Sequence, residues 1–113
     1  MSFGRGSAAF VLLILAEGPS YGYDIRRRLE EYGFERATSD PGALYRLLRD
    51  LEAAGSIASE WDIAGSGPAR RYYALTPQGR LDLDQAAERM RRWRSRTERF
   101  LQVYAGLTEG AAP

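Results

Sequence analysis

Residues Ala8 to Ala16 (AAFVLLILA) are apolar on every side, and Gly18-Pro19 closes them with a helix stop and a turn. They predict a buried first helix. In the following stretch, YGYDIRRRLEEYG, Ile25, Leu29 and Tyr32 fall on one face, so a short second helix is expected, with Ser20 at its N-cap and Gly33 as a left-handed C-terminal cap. Asp24 lies four positions before Arg28, and Arg27 four before Glu31, so part of this helix's positive charge is matched on its own surface. The turn-rich segment FERATSDPG then offers Ser39 or Asp40 as a cap for a third helix opened by Pro41.

That third helix carries the clearest short-range pattern. Leu44, Leu47, Leu48 and Leu51 recur at i, i+3, i+4 and i+7, which makes one apolar stripe destined for the core. Gly42, Arg46, Arg49 and Ala53 fall on the opposite side, with Tyr45 on the flank. After Gly55 the period changes to two: Ile57, Ser59, Trp61 and Ile63 alternate with Ala58, Glu60 and Asp62, and RRYYAL at 70–75 forms a second strand with Tyr73 and Leu75 on one side. The loop between them, AGSGPA, is long for a tight hairpin. Two strands are too few for a stable sheet, so this hairpin must lie on the helices.

Thr76-Pro77 supplies an N-cap and a first helical position, and a long helix begins there. Leu83, Met90, Thr97 and Tyr104 are spaced by seven, and Ala86, Trp93, Phe100 and Leu107 follow each by three, a strict heptad stripe. Helical from Pro77 to Leu107, the element is roughly 46 Å long, whereas a domain of about 75 residues has a radius of gyration of about 11 Å. The helix is therefore expected to project, and its aromatic stripe to need a cover. A second copy of the chain is the simplest cover.

Composition narrows the chemistry. The 113 residues suit one domain with an appendage, here residues 1–76 followed by a helix and tail at 77–113. The apolar run Ala8 to Ala16 is too short to span a bilayer and lacks the flanks of a secretory signal, so a soluble, cytoplasmic protein with no membrane association is expected. Neither Cys nor His nor Lys occurs, and all 16 basic residues are Arg. Thiolate and imidazole nucleophiles, Cys/His metal sites, Schiff-base lysines and the lysine-containing phosphate loop are thereby excluded. Of enzymes, only a carboxylate-based hydrolase survives, and Asp82 and Asp84 lie too near the heptad surface to build its cleft. No catalytic residue, metal or cofactor is expected.

Three helices, the third with a leucine stripe and an arginine-bearing back, followed by a hairpin, describe a winged helix-turn-helix in a mainly α (α+β) chain. In that arrangement the third helix enters the major groove and the wing follows the phosphate backbone. Gly42 keeps the approaching face slim, Arg46 and Arg49 can fork onto guanine or phosphate, and Arg70 and Arg71 flank the wing loop. Net charge is only +1, so the positions of the arginines matter more than their number; the competing reading is a solvated surface, or a winged adaptor that docks an acidic protein without binding DNA.

The segments LLILAEGPSYGYDIRRRLEE, DPGALYRLLRDLEAAG and SGPARRYYALTPQGR, in this order and spacing, resemble the signature blocks of the PadR family of bacterial transcriptional regulators. Two positions depart from the pattern: Arg46 stands where the family often has Pro, and Tyr21 where it often has His, so the operator sequence does not carry over. The single long C-terminal helix is similar to the family's shorter subtype. The resemblance implies a homodimer paired through the C-terminal helices that binds double-stranded operator DNA as a repressor and is released by an aromatic or drug-like ligand. The DNA-binding residues are then Tyr23, Ser39, Gly42, Ala43, Tyr45, Arg46, Arg49, Arg70 and Arg71, and the effector or dimer residues are Phe10, Met90, Trp93, Thr97, Phe100 and Tyr104. Trp93 at a core heptad position is where a flat ligand would stack, the alternative being an aromatic that simply packs the dimer seam. Six arginines between Arg89 and Arg99 stand against only Glu88 and Glu98; some are expected to pair with the partner subunit's first domain and a few to favour an anionic effector.

Overall fold

The computed structural model describes residues 6–34, 40–63 and 67–110, and the expected cap Ser39 lies outside them. The described elements are α1 (Ser7–Ala16), β1 (Ser20–Tyr21), α2 (Gly22–Glu31), α3 (Pro41–Ala53), β2 (Ile57–Asp62), β3 (Arg70–Leu75) and α4 (Pro77–Gly110). They fall into two compact units, Met1–Leu83 and Asp84–Pro113. This is the winged-helix architecture followed by a long C-terminal helix. Among the described residues, no helix is long and apolar enough to cross a membrane.

The core of the first unit is assembled from the faces that periodicity marks. Val11, Leu12, Ile14 and Leu15 of α1, Ile25 and Leu29 of α2, Leu44 and Leu48 of α3, and Ile57 and Tyr73 of the sheet are all buried in one cluster. Leu47, Leu51, Leu75 and Leu83 close it at the edges. α2 ends as Gly33 permits: its φ of +98° suits glycine, and the Gly33 and Phe34 amides donate to the Glu30 and Leu29 carbonyls at 2.9 and 3.0 Å, the double bond of a Schellman cap. Asp40 is the N-cap of α3, accepting from the Ala43 amide at 3.3 Å.

The sheet differs from a bare hairpin. Ser20-Tyr21 does not cap α2 through the serine; it forms a short third strand, giving the antiparallel order β1-β3-β2 with Ser20 opposite Tyr73 and Tyr21 opposite Tyr72. A two-residue strand has no period to read, and its partner lies some fifty residues away. Its pairing gives β3 neighbours on both edges, which meets the stability problem of an isolated hairpin.

Residues Pro77 to Leu83 of α4 belong to the first unit. Thr76 caps the helix by accepting from the Gly79 amide at 3.0 Å while donating to the Gly55 carbonyl at 2.6 Å. Gly79 is buried so close to the Ser56 backbone that a Cβ there would overlap the Ser56 carbonyl and lie 2.7 Å from Leu75 Cδ1. Asp82 accepts from Ser56 Oγ at 2.6 Å and from Gln78 Nε2 at 2.9 Å, so its carboxylate serves the junction.

Candidate nucleic-acid interface

Because α3 gives its leucines to the core, the other side of the same helix is left in solvent. Gly42, Tyr45, Arg46, Arg49 and Ala53 are exposed there, as the 3.6-residue period requires. Ala43 is different: at 1% exposure it belongs to the core, so the expectation that its side chain joins the binding face is corrected. It precedes Leu44 on the buried side of the first turn, and its amide is already committed to Asp40.

Arg46 turns back along the helix to Asp40, 3.3 Å from Oδ2, with both side chains more than half exposed. Such a pair is worth at most about 1 kcal/mol in water, so an incoming phosphate can displace Asp40 at little cost. Gly42 makes room for this fold-back, since a Cβ there would stand 3.0 Å from Arg46 Nη1. Asp40 also occupies the helix N-terminus, so the first-turn amides are not an open anion site. Arg49 is exposed and makes no ion pair among the described residues. The one-turn separation of Arg46 and Arg49 thus yields one tethered and one untethered guanidinium on a single face.

Tyr45 flanks that face. Its ring lies against the buried Gly22, where a Cβ would meet Cε1 at 3.3 Å, and the Arg26 guanidinium sits 5.8 Å from its centroid. Arg26 is a residue that periodicity misses, because RRR in α2 reads as one solvated run; the fold half-buries it and leaves its Nε without a hydrogen-bond partner among the described residues. Tyr23, beside this group in sequence, is 69% exposed. Arg28 leaves its own helix and pairs with Glu17 after α1, so the expected Asp24–Arg28 pair is replaced; Arg27 reaches Asp24 at 3.4 Å.

The wing carries its two arginines differently. β2 and β3 pair with Trp61 opposite Arg71 and Asp62 opposite Arg70. Side chains alternate across a sheet, so Arg71 and Trp61 share the face of Ser59, Tyr73 and Leu75, while Arg70 shares the other with Asp62 and Tyr72. Each guanidinium covers a ring at 4.8 Å from its centroid, Arg71 on Trp61 and Arg70 on Tyr21. Tyr21 packs edge-on to Tyr72 at 5.1 Å and donates its hydroxyl to Asp62; that hydrogen bond, reinforced by desolvation, raises its phenol pKa above 10.0. Burial likewise raises the Tyr73 phenol, and the nearby Arg71 opposes the rise. Residues 64–66 of the loop lie outside the described residues.

The residues expected at an effector or dimer site divide between the units. Phe10 lies in the first, half-buried, with its ring 4.8 Å from Tyr32 and 5.1 Å from Phe34. Met90, Trp93, Thr97, Phe100 and Tyr104 lie along α4 in the second and are all exposed, Trp93 by 58% and Phe100 by 67%. The flanking arginines are partly engaged: Arg91 and Arg92 share Glu88 at 3.0 and 3.8 Å, and Arg96 approaches the Trp93 ring at 5.9 Å.

Solved structures with the same architecture are known. One is a conserved protein of unknown function described as a potential transcriptional factor, 35% identical, with 94% of this chain and 97% of that one aligned at a TM-score of 0.77. A PadR family transcription regulator from Clostridium difficile R20291 is 26% identical over 84% of this chain and 97% of its own, with a TM-score of 0.71. Bacillus subtilis PadR, solved in complex with operator DNA, shares the fold at 24% identity and a TM-score of 0.59, over 72% of this chain and 46% of that one. No functionally curated protein matches the chain. Residues 11–85, from α1 through the wing to the start of α4, match the transcriptional regulator PadR-like family as a block, and the chain belongs to that family.

Proposed function

We propose that this regulator acts by binding double-stranded DNA as a homodimer, with α3 in the major groove, and that it represses transcription until an aromatic ligand releases it. The observation that carries the reading is the division of α3 into a buried leucine stripe and an exposed face of Gly42, Tyr45, Arg46 and Arg49. A helix slim at Gly42 fits a groove about 12 Å wide, and guanidinium forks match guanine O6 and N7 as well as phosphate. Operator binding by the Bacillus subtilis protein of the same fold supports the same reading.

The homodimer is supported by the exposed stripe of α4, where Trp93, Phe100, Tyr104 and Leu107 offer an apolar surface to a second copy. Two α3 helices would then meet successive major grooves about 34 Å apart. Ligand release is assigned to Trp93, with Met90 and Phe100 as neighbours.

Fluorescence anisotropy with duplexes tiled across the protein's own promoter tests the first step. One duplex should bind more tightly than its scrambled version, with a slope of log K on log salt of about −5 if about six phosphates are neutralised. Equal affinity for every duplex would remove the sequence-reading role, and no binding at low salt would favour a protein-docking adaptor. For the ligand step, quenching of tryptophan fluorescence by aromatic acids and drug-like cations must disappear in Trp93→Phe, because Trp61 also emits.

A further inference from the structure

We infer that the two wing arginines have separate tasks and that Trp61 is the positioning residue that separates them: it holds Arg71 for the DNA backbone, while Arg70 is structural. The inference rests on the DNA-binding reading above.

The sheet has two faces, and the packing distinguishes them. Ile57 and Tyr73 point into the core, and Ser59 Oγ donates to Glu52 Oε2 of α3 at 2.7 Å, so this is the face that α3 packs against. Trp61 and Arg71 continue the same face beyond the core, where Trp61 is 58% exposed. A duplex lying on the outer side of α3 is therefore on the side of Arg71. Arg70 stands on the opposite face, in a group with Tyr21, Tyr72 and the carboxylates of Glu60 and Asp62. Asp62 stands opposite Arg70 across the ladder and Glu60 lies on the same face, so the local charge is less favourable to a phosphate there than at Arg71.

Stacking explains what Trp61 adds. An unrestrained arginine loses rotamer freedom when fixed in one place, which offsets much of a single phosphate contact. With its guanidinium over the indole and a hydrogen bond toward the Tyr73 hydroxyl, Arg71 is held in advance, and its other N–H groups can donate outward. The exposed Trp61, which a sequence pattern reads as one more hydrophobic strand residue, thus has a reason to stay in water.

Because phosphate contacts are independent of sequence, the test needs no operator: a labelled mixed-sequence duplex of about 30 base pairs is titrated at several salt concentrations. Arg71→Ala should reduce the salt slope by about one, and Arg70→Ala should leave it unchanged. Trp61→Ala should weaken binding roughly two- to fivefold, have no further effect in the Arg71→Ala background, and be rescued by Trp61→Phe. Circular dichroism confirms that each variant is folded. A Trp61→Ala effect of the same size with and without Arg71 overturns the inference, as does a slope change for Arg70→Ala equal to that for Arg71→Ala. A wild-type chain that binds no duplex at low salt overturns the DNA-binding reading and this inference together, whereas tight wild-type binding that Trp61→Ala leaves intact overturns this inference alone.

Discussion

Helices α3 and α4 both carry a long apolar stripe, and the chain treats them in opposite ways. In α3, Leu44 and Leu48 are 0% and 1% exposed, and the arginine side faces water. In α4, Trp93, Phe100 and Tyr104 are each more than half exposed, on the apolar side itself. The difference lies in what each stripe can reach. α3 is a short helix flanked in sequence by elements that fold back onto it, whereas the unit from Asp84 onward holds α4 alone, and the stripe residues from Met90 to Leu107 are exposed. An amphipathic helix exposes whichever side its own fold does not need, and that side is where a partner is to be sought: a polyanion for α3, a matching apolar helix for α4.

The sharpest way to break this contrast is truncation. Leu48→Ala should destabilise the first unit by about 2–5 kcal/mol, measured by urea denaturation, because it opens a cavity in a packed core. Phe100→Ala, a larger truncation, should stay within about 0.5 kcal/mol when the protein is dilute enough to be monomeric. Equal losses in both would show that α4 is packed within its own chain. At higher concentration the order reverses: Phe100→Glu should abolish self-association in sedimentation equilibrium while the far-ultraviolet spectrum is retained, since a buried carboxylate in the seam has no partner.

On the polar side of α3, Arg49→Ala should weaken binding to the preferred duplex by about 1–3 kcal/mol and flatten its preference over a scrambled one. Arg46→Ala should cost less, since its charge is already shared with Asp40 in the free protein. Anisotropy on the two duplexes separates these outcomes.

The smallest effect concerns β1. A phenol whose pKa rises on folding is held in its protonated form, so the stability Tyr21 contributes is complete below pH 10 and fades as pH climbs through the raised value. The difference between the 295 nm titrations of the chain and of Tyr21→Phe should accordingly have its midpoint above 10.0. A midpoint at the ordinary value would mean that the Asp62 hydrogen bond is not held in solution.

Much of the fold is legible where a pattern repeats. The all-round apolar run of α1 and the leucine stripe of α3 state their burial through spacing, the period-two strands and the heptads of α4 state their element type, and Gly33 and Thr76-Pro77 state where helices end and begin. The candidate site was legible to the extent that it is the complement of a core stripe: locating Leu44 and Leu48 locates Arg46 and Arg49. Ala43, named only through the family resemblance, is not part of that complement: it lies buried beside Leu44 in the first turn.

Sequence alone therefore determined the element types, the buried stripes and the arginine-bearing back of α3, because these depend on residues only a few positions apart, whose relative directions a helix or strand fixes. Tertiary structure decided the strand at Ser20-Tyr21, the Arg28 pairing with Glu17, the half-burial of Arg26 and the placement of Arg70 and Arg71 against different rings. Each of these depends on which distant segment becomes a neighbour, and only the packing of the elements onto one core settles that.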